Sequence, residues 1–488
     1  MLALVLLLCT SFAFAQSDLG SISGFVKDPS GAIVPKAKVS VKNESGLDRQ
    51  STTNDSGYYT VTNIPPGMYS IRVEVAGFKK YESPGNKLDA SGALSADITL
   101  TVGATTETVE VSGVATSLQT ESATVSKDMT REQIDSLELN GRNPIFMANL
   151  VPGTRGGNLA GNSFGMSQGP SNINGARTPE SLVTYDGAPA VRTRSNGSSI
   201  GAADVDSTSE IQILTAAYSV EFGRSSGGQI RILTRSGGSQ FHGAAYDYVR
   251  NDAFNANTWA RNHTAGQNFV APINYNQFGY NVGGPFYIPG KFNNNKSKVF
   301  WYWGQEWVRQ RTTDLPTLSV PSLAMRTGDF SELLNPSNVW YGKAMVLKDP
   351  TTGVPFANNI IPVSQQSTNG MGILKAYPTP NISGFINGNQ NWVYAASHPV
   401  HQRKDTWSAD FNPTDNQRIQ FRRMNYAYFE YLPTDGGSNL TPRFFNRPNQ
   451  TNSLNHIWTI NPTMVNELLA TVSLDDVYIP VDTANYYD

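Results

Sequence analysis

Residues 210–243 read EIQILTAAYSVEFGRSSGGQIRILTRSGGSQFHG, and this glycine-rich stretch is the most informative part of the sequence. Two apolar runs enclose a short segment that contains Gly223, Gly227 and Gly228. Glycine permits tight turns and lets one backbone approach another closely. We therefore expect a small, tightly packed unit that ends at Thr234 and a different kind of structure that begins soon after it.

Upstream, two helix starts are visible in the sequence. Residues 130–133 read TREQ, which fits a capping box, in which the Thr and Gln side chains satisfy free backbone N–H groups. We expect a short helix after them, ended by Asn140 and Gly141. Pro144 suits the first turn of a second helix that runs to Leu150.

Between these helices and the opening stretch, residues 182–189 read LVTYDGAP and supply a strand closed by an Asp-Gly turn. Together with NGAR at 174–177 and the opening stretch, this order of motifs resembles the plug of TonB-dependent receptors of the Oar-like branch. The resemblance implies a small α/β plug domain over residues 129–237. Its site residues would be Arg177, Asp186, Gly187, Glu210, Glu221, Gly223, Arg224, Gly227 and Gly228.

Four charged plug residues are candidates for polar contacts with a surrounding barrel wall: Arg177, Glu210, Glu221 and Arg224. For any one of them, a solvated surface charge is an equally good interpretation, because an exposed ion pair contributes at most about 1 kcal/mol. As a group, they favour a polar plug–wall contact.

Beyond the plug, segments of roughly ten residues alternate between apolar and polar side chains, as in transmembrane β-barrels. Trp407 and Phe411 belong to one such apolar file, opposite Thr406 and Asp410. We assign residues 238–488 to part of an outer-membrane antiparallel β-barrel. Within it, the Pro-, Gly- and Asn-rich stretch 312–400 is predicted to be a long extracellular loop.

The number of strands is small for a complete transporter barrel. Transporters of this class close about 22 strands, whereas the sequence shows only seven or eight before Asp488. We therefore expect the sequence to be a fragment or a truncated gene model that could not close the barrel alone.

The first part of the chain, residues 19–102, has short alternating runs separated by turns such as NDSG at 54–57. This pattern is typical of a β-sandwich. GFVKD at 24–28, TNDSGYY at 53–59 and IPPGMY at 64–69 resemble the carboxypeptidase regulatory-like domain. No HxxE or HExxH pattern occurs, so a structural or docking module is predicted rather than a peptidase.

A tether over residues 103–128 is predicted to join the sandwich to the plug. It contains a β-prone run that is either the last strand of the sandwich or a TonB box, the extended peptide that pairs edge-on with the energy-coupling protein TonB. Its position slightly favours the box. The candidate residues are Glu107, Thr108, Val109, Glu110 and Val111.

Residues 1–15 have an apolar run and an Ala-Phe-Ala cleavage site, which predict a signal peptide. The chain's single cysteine, Cys9, lies inside it, so we expect neither disulfides nor cysteine-bound metal after cleavage. A net charge of -2 with 16% charged residues argues against nucleic-acid binding.

Enzymatic chemistry is weakly supported. GNSFG at 161–165 matches the GxSxG pattern around Ser163, but the strand before it and the helix after it are missing. His398 and His401 lie three residues apart in what reads as a Pro-containing loop, and no third metal ligand is in register. No cofactor motif is evident. We predict a protein without enzymatic activity, metal site or cofactor.

The resemblance to TonB-dependent receptors implies active uptake across a Gram-negative outer membrane. The partners would be the TonB complex, outer-membrane lipid and an extracellular ligand, which is an oligosaccharide, a peptide or a metal chelate. The sandwich and the tether would lie in the periplasm. The alternative is a surface adhesion or structural protein without transport, and a secreted hydrolase is a distant third.

Overall fold

The chain folds into three successive β units, which are a sandwich, a plug and a wall. The computed structural model describes residues 19–43, 47–89, 92–104, 108–110, 124–137, 139, 141–155, 172–177, 180–192, 200–201, 203–218, 223, 225–263, 270, 272–314, 317–385, 389–435, 441–461 and 464–483. The predicted signal peptide lies outside the described residues. None of the described helices is both long enough and apolar enough to cross a membrane.

The N-terminal unit confirms the predicted sandwich. One sheet has the order β4-β1-β7, with β8 also paired to β1, and the other has the order β3-β2-β5-β6-β9. Alternate side chains such as Ile22, Val39 and Ile71 are buried between the sheets. The strands are β1 (Gly20–Lys27), β2 (Lys38–Asn43), β3 (Asp48–Thr52), β4 (Tyr58–Ile64), β5 (Gly67–Glu74), β6 (Lys80–Leu88), β7 (Ala93–Ser95), β8 (Ile98–Thr99) and β9 (Thr108–Glu110).

The plug contains a five-stranded sheet of order β10-β15-β16-β13-β14, and helical residues such as Ile134 and Ile145 pack in its core. Every residue of the central strand β16 is buried, as expected for a strand that is covered on both faces. The strands of this sheet are β10 (Val125–Met129), β13 (Ser181–Tyr185), β14 (Ala188–Pro189), β15 (Thr208–Ala216) and β16 (Gly228–Thr234). A separate two-stranded sheet is formed by β11 (Thr154–Arg155) and β12 (Asn172–Ile173).

The two predicted helices are present. The first, Arg131–Ser136, begins with the full capping box between Thr130 and Gln133. This helix ends earlier than expected, because the backbone of Leu137 is already extended. Gly141, with a φ of 77°, lies in a turn that follows the helix. The second is a 3₁₀ helix, Pro144–Leu150, with Pro144 in its first turn.

The wall is a seven-stranded antiparallel sheet of order β17-β18-β19-β22-β23-β24-β25. Along β22, Thr406, Ser408 and Asp410 are buried on the face towards the plug, whereas Trp407 and Phe411 on the other face are exposed. The predicted polar-in, apolar-out alternation is therefore confirmed. The strands of this sheet are β17 (His242–Asn251), β18 (Ile273–Pro285), β19 (Val299–Asp314), β22 (Ala396–Thr414), β23 (Gln417–Leu432), β24 (Arg443–Asn461) and β25 (Met464–Asp475). Between β19 and β22, β20 (Thr317–Leu318) and β21 (Trp392–Val393) form a separate two-stranded sheet.

The two ends of the wall differ in the length of their connections. At the short-turn end, residues 415–416 join β22 to β23, and residues 462–463 join β24 to β25. At the long-loop end, the strands extend further than the sequence predicts, so that β19 stops at Asp314 and β22 starts at Ala396. The helices at this end are Asp252–Phe254, Trp259–Asn262, Met325–Thr327, Ser331–Leu334, Ala357–Asn359, Val363–Gln365 and Thr368–Ala376.

The predicted long loop has a folded core of its own. Asn391 is buried, and its side-chain amide both accepts from the backbone N–H of Val320 and donates to the carbonyl of Val320. Arg326 donates to the carbonyls of Leu374 and Tyr377 at 3.0 and 2.9 Å. Side-chain groups thus take over backbone hydrogen bonds that a strand ladder does not supply here.

We expect Thr53→Val to weaken the sandwich locally. The Thr53 hydroxyl is buried, accepts from the N–H of Ala37 and donates to the carbonyl of Val34, both at 2.8 Å. Leaving these buried groups unpaired costs roughly 1–3 kcal/mol. Amide exchange around Ala37 should accelerate about tenfold or more, since 1.4 kcal/mol is about a factor of ten. The matched control is Thr52→Val at the exposed neighbouring position, and equal acceleration in both variants would contradict the prediction.

Candidate functional site: the plug–wall interface

The plug is seated on the polar face of the wall through direct hydrogen bonds. The Tyr302 hydroxyl of β19 donates to the carbonyl of Asp206 at 3.1 Å. At the far end of the sheet, the Ser473 hydroxyl of β25 donates to the carbonyl of Pro189 at 2.6 Å. The interface therefore reaches across the wall from β19 to β25.

A buried ion cluster lies at the centre of this interface. Glu306 and Lys404 face each other in the β19–β22 register, with Nζ 2.7 Å from Oε1 and side chains that are 0% and 3% exposed. The plug contributes Arg142, whose guanidinium is 2.5 Å from Asp206 and 4.0 Å from Glu306. It also lies 4.2 Å from the centre of the Tyr248 ring, where its positive charge meets the negative face of the ring. Arg142 thus joins plug to wall.

A second cluster lies nearer the short-turn end. Asp410 of β22 opposes Gln420 of β23, so Arg418 and Arg422 occupy the two diagonal positions and both reach its carboxylate, at 3.2 and 3.0 Å. Arg422 also donates to the hydroxyl of Ser236 at 2.8 Å, just after the last plug strand. This cluster ties the end of the plug to the wall.

A third set of charges joins the plug to the last described strand. The Arg447 guanidinium is fully buried and donates to the Asp475 carboxylate at 2.7 and 2.9 Å. Arg192 of the plug lies 3.5 Å from the same carboxylate. Each of the three clusters therefore has charged wall residues in contact with the plug.

Close approach of the two backbones requires glycine at one wall position. A Cβ on Gly304 would overlap the Ser207 hydroxyl of the plug. Gly201 of the plug is the reciprocal case, because a Cβ there would lie 2.6 Å from the Asn449 side chain of the wall. These contacts indicate a tight interface rather than a water-filled gap.

One plug carboxyl is buried against the central cluster. Asp204 accepts from the N–H of Ser207 at 2.6 Å, while its Oδ2 has no hydrogen-bond partner. Burial, reinforced by the negative charge of Glu306 and only partly offset by Lys404, raises the pKa of Asp204 to about 6. Its charge state therefore changes within the pH range in which proteins are studied.

The predicted plug residues fall into several environments. Asp186 and Gly187 form the expected turn, with φ of 46° and 78°. A Cβ on Gly227 or Gly228 would lie 2.7 Å from a neighbouring atom, whereas no atom of the described residues would lie within 4 Å of one on Gly223.

The four charged residues predicted to contact the wall do not share one environment. Arg177 pairs with Glu180 within the plug and its side chain is 84% exposed. Glu210 is buried on β15. Glu221 and Arg224 lie outside the described residues, so their roles stay predictions.

The TonB-box candidate pairs with the sandwich. Its described part, β9, runs parallel to β6, with Thr108 opposite Lys80 and Val109 opposite Tyr81. Glu107 and Val111 lie outside the described residues. The assignment as a TonB box stays a prediction.

The expectation that His398 and His401 lie in a loop is wrong. The β19–β22 ladder continues through both, and Pro399 is paired with Arg311. Residues three apart in a strand point to opposite faces. His398 hydrogen-bonds Asp314 and Glu430 at 2.6 and 2.8 Å, so it links three strands at the long-loop end.

The wall charges were missed from the sequence although a signal exists for them. Glu306, Lys404, Asp410, Arg418 and Arg422 all occupy the polar file of an alternating strand. A charge in the inward register of a barrel strand predicts a lumenal contact. No cluster of His, Cys, Asp and Glu able to hold a metal is found among the described residues, and Ser163 lies outside them.

We expect Lys404→Met to destabilise plug seating more than the double change Lys404→Met with Glu306→Gln. The single change leaves a buried carboxylate without its closest cation, which costs about 3–5 kcal/mol, whereas removing both charges is often nearly neutral. Urea-induced release of the plug, followed by its susceptibility to protease, measures the difference. Equal midpoints for the single and double variants would contradict it.

A pH dependence follows from Asp204. Because its folded-state pKa is raised above that of an unfolded Asp, its contribution to stability is fully present below about pH 4 and is lost as pH rises through about 6. The urea midpoint for plug release should therefore rise between pH 7 and pH 5. In Asp204→Asn this part of the rise should vanish, and an unchanged pH profile would refute the assignment.

Comparison with known proteins places these units in a family. Family models match residues 21–101 as a carboxypeptidase regulatory-like domain, residues 117–229 as a TonB-dependent receptor plug domain, and residues 233–486, more than half of the chain, as an outer membrane beta barrel domain. The plug family and the relative described below are a receptor domain and a transporter, in agreement with the prediction that the protein is not an enzyme.

Among individual proteins, the chain is 31% identical over 251 residues to the TonB-dependent transporter Oar of Myxococcus xanthus, an alignment that spans 49% of this chain and 22% of the relative. It is similar to the outer membrane transporter YddB from Escherichia coli, with a TM-score of 0.43, 12% identity and coverage of 72% of this chain and 39% of that one. It is also similar to the ferric enterobactin receptor of Pseudomonas aeruginosa, with a TM-score of 0.34, 11% identity and coverage of 73% and 46%. The chain belongs to the outer membrane β-barrel family, as a TonB-dependent receptor whose plug follows an N-terminal carboxypeptidase regulatory-like domain.

Proposed function

We propose that the protein is an active transporter that imports a ligand across the Gram-negative outer membrane when TonB displaces its plug. The observation that carries this proposal is the buried cluster of Arg142, Asp206, Glu306 and Lys404, which fastens a separately folded plug to the lumenal face of the wall. A structural protein would not need such a removable obstruction.

The polar character of the contact suits a plug that moves. Separating two apolar faces exposes surface to water at about 25 cal/mol per Å². Charged groups such as Arg142 of the plug and Glu306 of the wall regain hydration instead when they separate, which offsets most of the lost ion pair. The interface is therefore stable when dry and becomes separable once water enters.

The orientation follows from the connections. Short turns are typical of the periplasmic side of such barrels and long loops of the extracellular side. The sandwich and the tether would then lie in the periplasm, below the short-turn end. The exposed apolar side chains of the wall would contact membrane lipid: Phe278, Trp407, Phe421, Leu454, Leu468 and Val472.

Coupling to TonB would use the β9 edge. Strand β9 is the last in its sheet, with β6 on one side and no strand paired on the other among the described residues. An edge strand presents unpaired backbone groups, and adding a strand from a partner satisfies them. The candidate box at 107–111 would thus recruit TonB while its other edge is held by the sandwich.

The transported ligand can be identified by measuring uptake. Labelled oligosaccharides, peptides and metal chelates are each supplied to cells that express the receptor and to cells that lack it. The ligand is the class whose accumulation needs the receptor.

The experiment is energised uptake of that ligand. Depleting TonB should abolish accumulation, and deleting residues 107–111 should do the same while leaving ligand binding at the surface intact. The control is Val109→Thr, which keeps the backbone hydrogen bonds and the strand preference of the box. Undiminished uptake in the deletion would refute the box. Binding without any TonB-dependent uptake would favour the adhesion alternative.

A further inference from the structure

A chamber lies where sandwich, plug and wall meet at the short-turn end. Its volume is about 830 Å³, enough for a small organic molecule. The sandwich contributes residues 65–68, and the segment that follows the last plug strand contributes residues 235–240. The short-turn ends of β23 and β24 contribute polar side chains such as Gln420 and Asn455. The chamber is therefore built by all three units.

Its charged lining is mainly cationic. Arg235, Arg418 and Arg422 line it, and the one acid among the lining residues is Asp186. Both oxygens of that acid already accept from Thr234, at 2.9 and 2.8 Å. The acid behind the wall arginines, Asp410, is likewise occupied by its two ion pairs. The acids are thus engaged, while the guanidinium groups retain unused donors.

Two arginines, one in the chamber lining and one in the neighbouring sandwich, each have a buried donor without a hydrogen-bond partner. Arg418 is 7% exposed and its Nε has no hydrogen-bond partner, although its Nη2 binds Asp410. Arg49 of the sandwich is 9% exposed and its Nε also lacks a partner. Unsatisfied buried donors cost about 1–3 kcal/mol each, more when charged, and a ligand with free lone pairs would remove that cost.

The sandwich also brings like charges together here. Burial lowers the pKa of Arg49, and the nearby positive charge of Arg418 lowers it further, with Asp415 acting in the opposite direction. The chamber lining itself has three arginines, Arg235, Arg418 and Arg422, against the single acid Asp186. An anion placed between the units would relieve this repulsion.

We propose that this junction chamber binds the carboxylate or phosphate group of a small soluble molecule, with Arg418 and Arg422 as its principal donors and Arg235 as a third. Guanidinium groups bind such anions through paired hydrogen bonds, and a partly enclosed, water-poor site strengthens them. Binding itself does not depend on transport. That the anion is cargo leaving the lumen rests on the proposed function.

The test uses cysteine reactivity in the purified full chain. Cys9 is the only cysteine, so Cys9→Ala with Gln240→Cys places a single thiol at an exposed lining position. Two methanethiosulfonates are compared, one with a negatively charged sulfonate and one with a positively charged trimethylammonium group. The ratio of the sulfonate rate to the trimethylammonium rate should be on the order of tenfold higher at position 240 than at a control thiol. The control is Gln365→Cys in the exposed loop at the other end of the wall.

Citrate and inorganic phosphate, added separately, should slow the reaction at position 240 and leave position 365 unaffected. Arg418→Gln should abolish this protection, and Arg418→Lys should restore part of it. Met68→Trp, which fills the chamber from the sandwich side without altering charge, should also abolish it in a chain that still assembles. Nanodiscs containing phosphatidylglycerol should give no protection.

Equal reactivity of the two reagents at position 240, or no protection by either anion, would overturn the proposal. Protection only by phosphatidylglycerol would overturn it in favour of a lipid headgroup. Because these measurements require no TonB and no uptake, their failure is distinguishable from failure of the proposed transport function.

Discussion

The buried contact between Glu306 and Lys404 lies at the centre of the plug–wall assembly. Neither charge can be hydrated while the plug is in place, so each stabilises the other only if β19 and β22 remain in register. Arg142 extends the same cluster into the plug. The register of the wall and the seating of the plug are therefore two aspects of one electrostatic constraint.

The same constraint explains why the wall has opposite chemistry on its two faces. Trp407 is exposed between the buried side chains of Thr406 and Ser408, so a shift of one residue would place polar groups in lipid and an indole in the lumen. The clusters around Asp410 and Asp475 fix the register of the remaining strands in the same way. Local alternation and long-range pairing thus support the same arrangement.

Much of this was predictable from local patterns. The capping box at Thr130, the turn at Asp186 and the alternating files of β22 follow from neighbouring residues alone, and each is confirmed. The partners of Arg142 were not predictable, because Glu306 lies in another domain and no local pattern links them. His398 was misassigned because Pro399 suggests a loop, whereas a long ladder with β19 tolerates it.

The pairing of β9 with the sandwich and of β10 with the plug sets a limit on plug movement. The chain between Glu110 and Val125 spans 15 Cα steps (125 − 110), which reaches at most roughly 50 Å when fully extended. This length is close to the thickness of a bilayer with its headgroups. A pull on the sandwich would therefore be transmitted to the plug once this segment is taut, and it would act first on β10. Because β10 is an edge strand of the plug sheet, tension would detach β10 from β15 before it reaches the central strand β16.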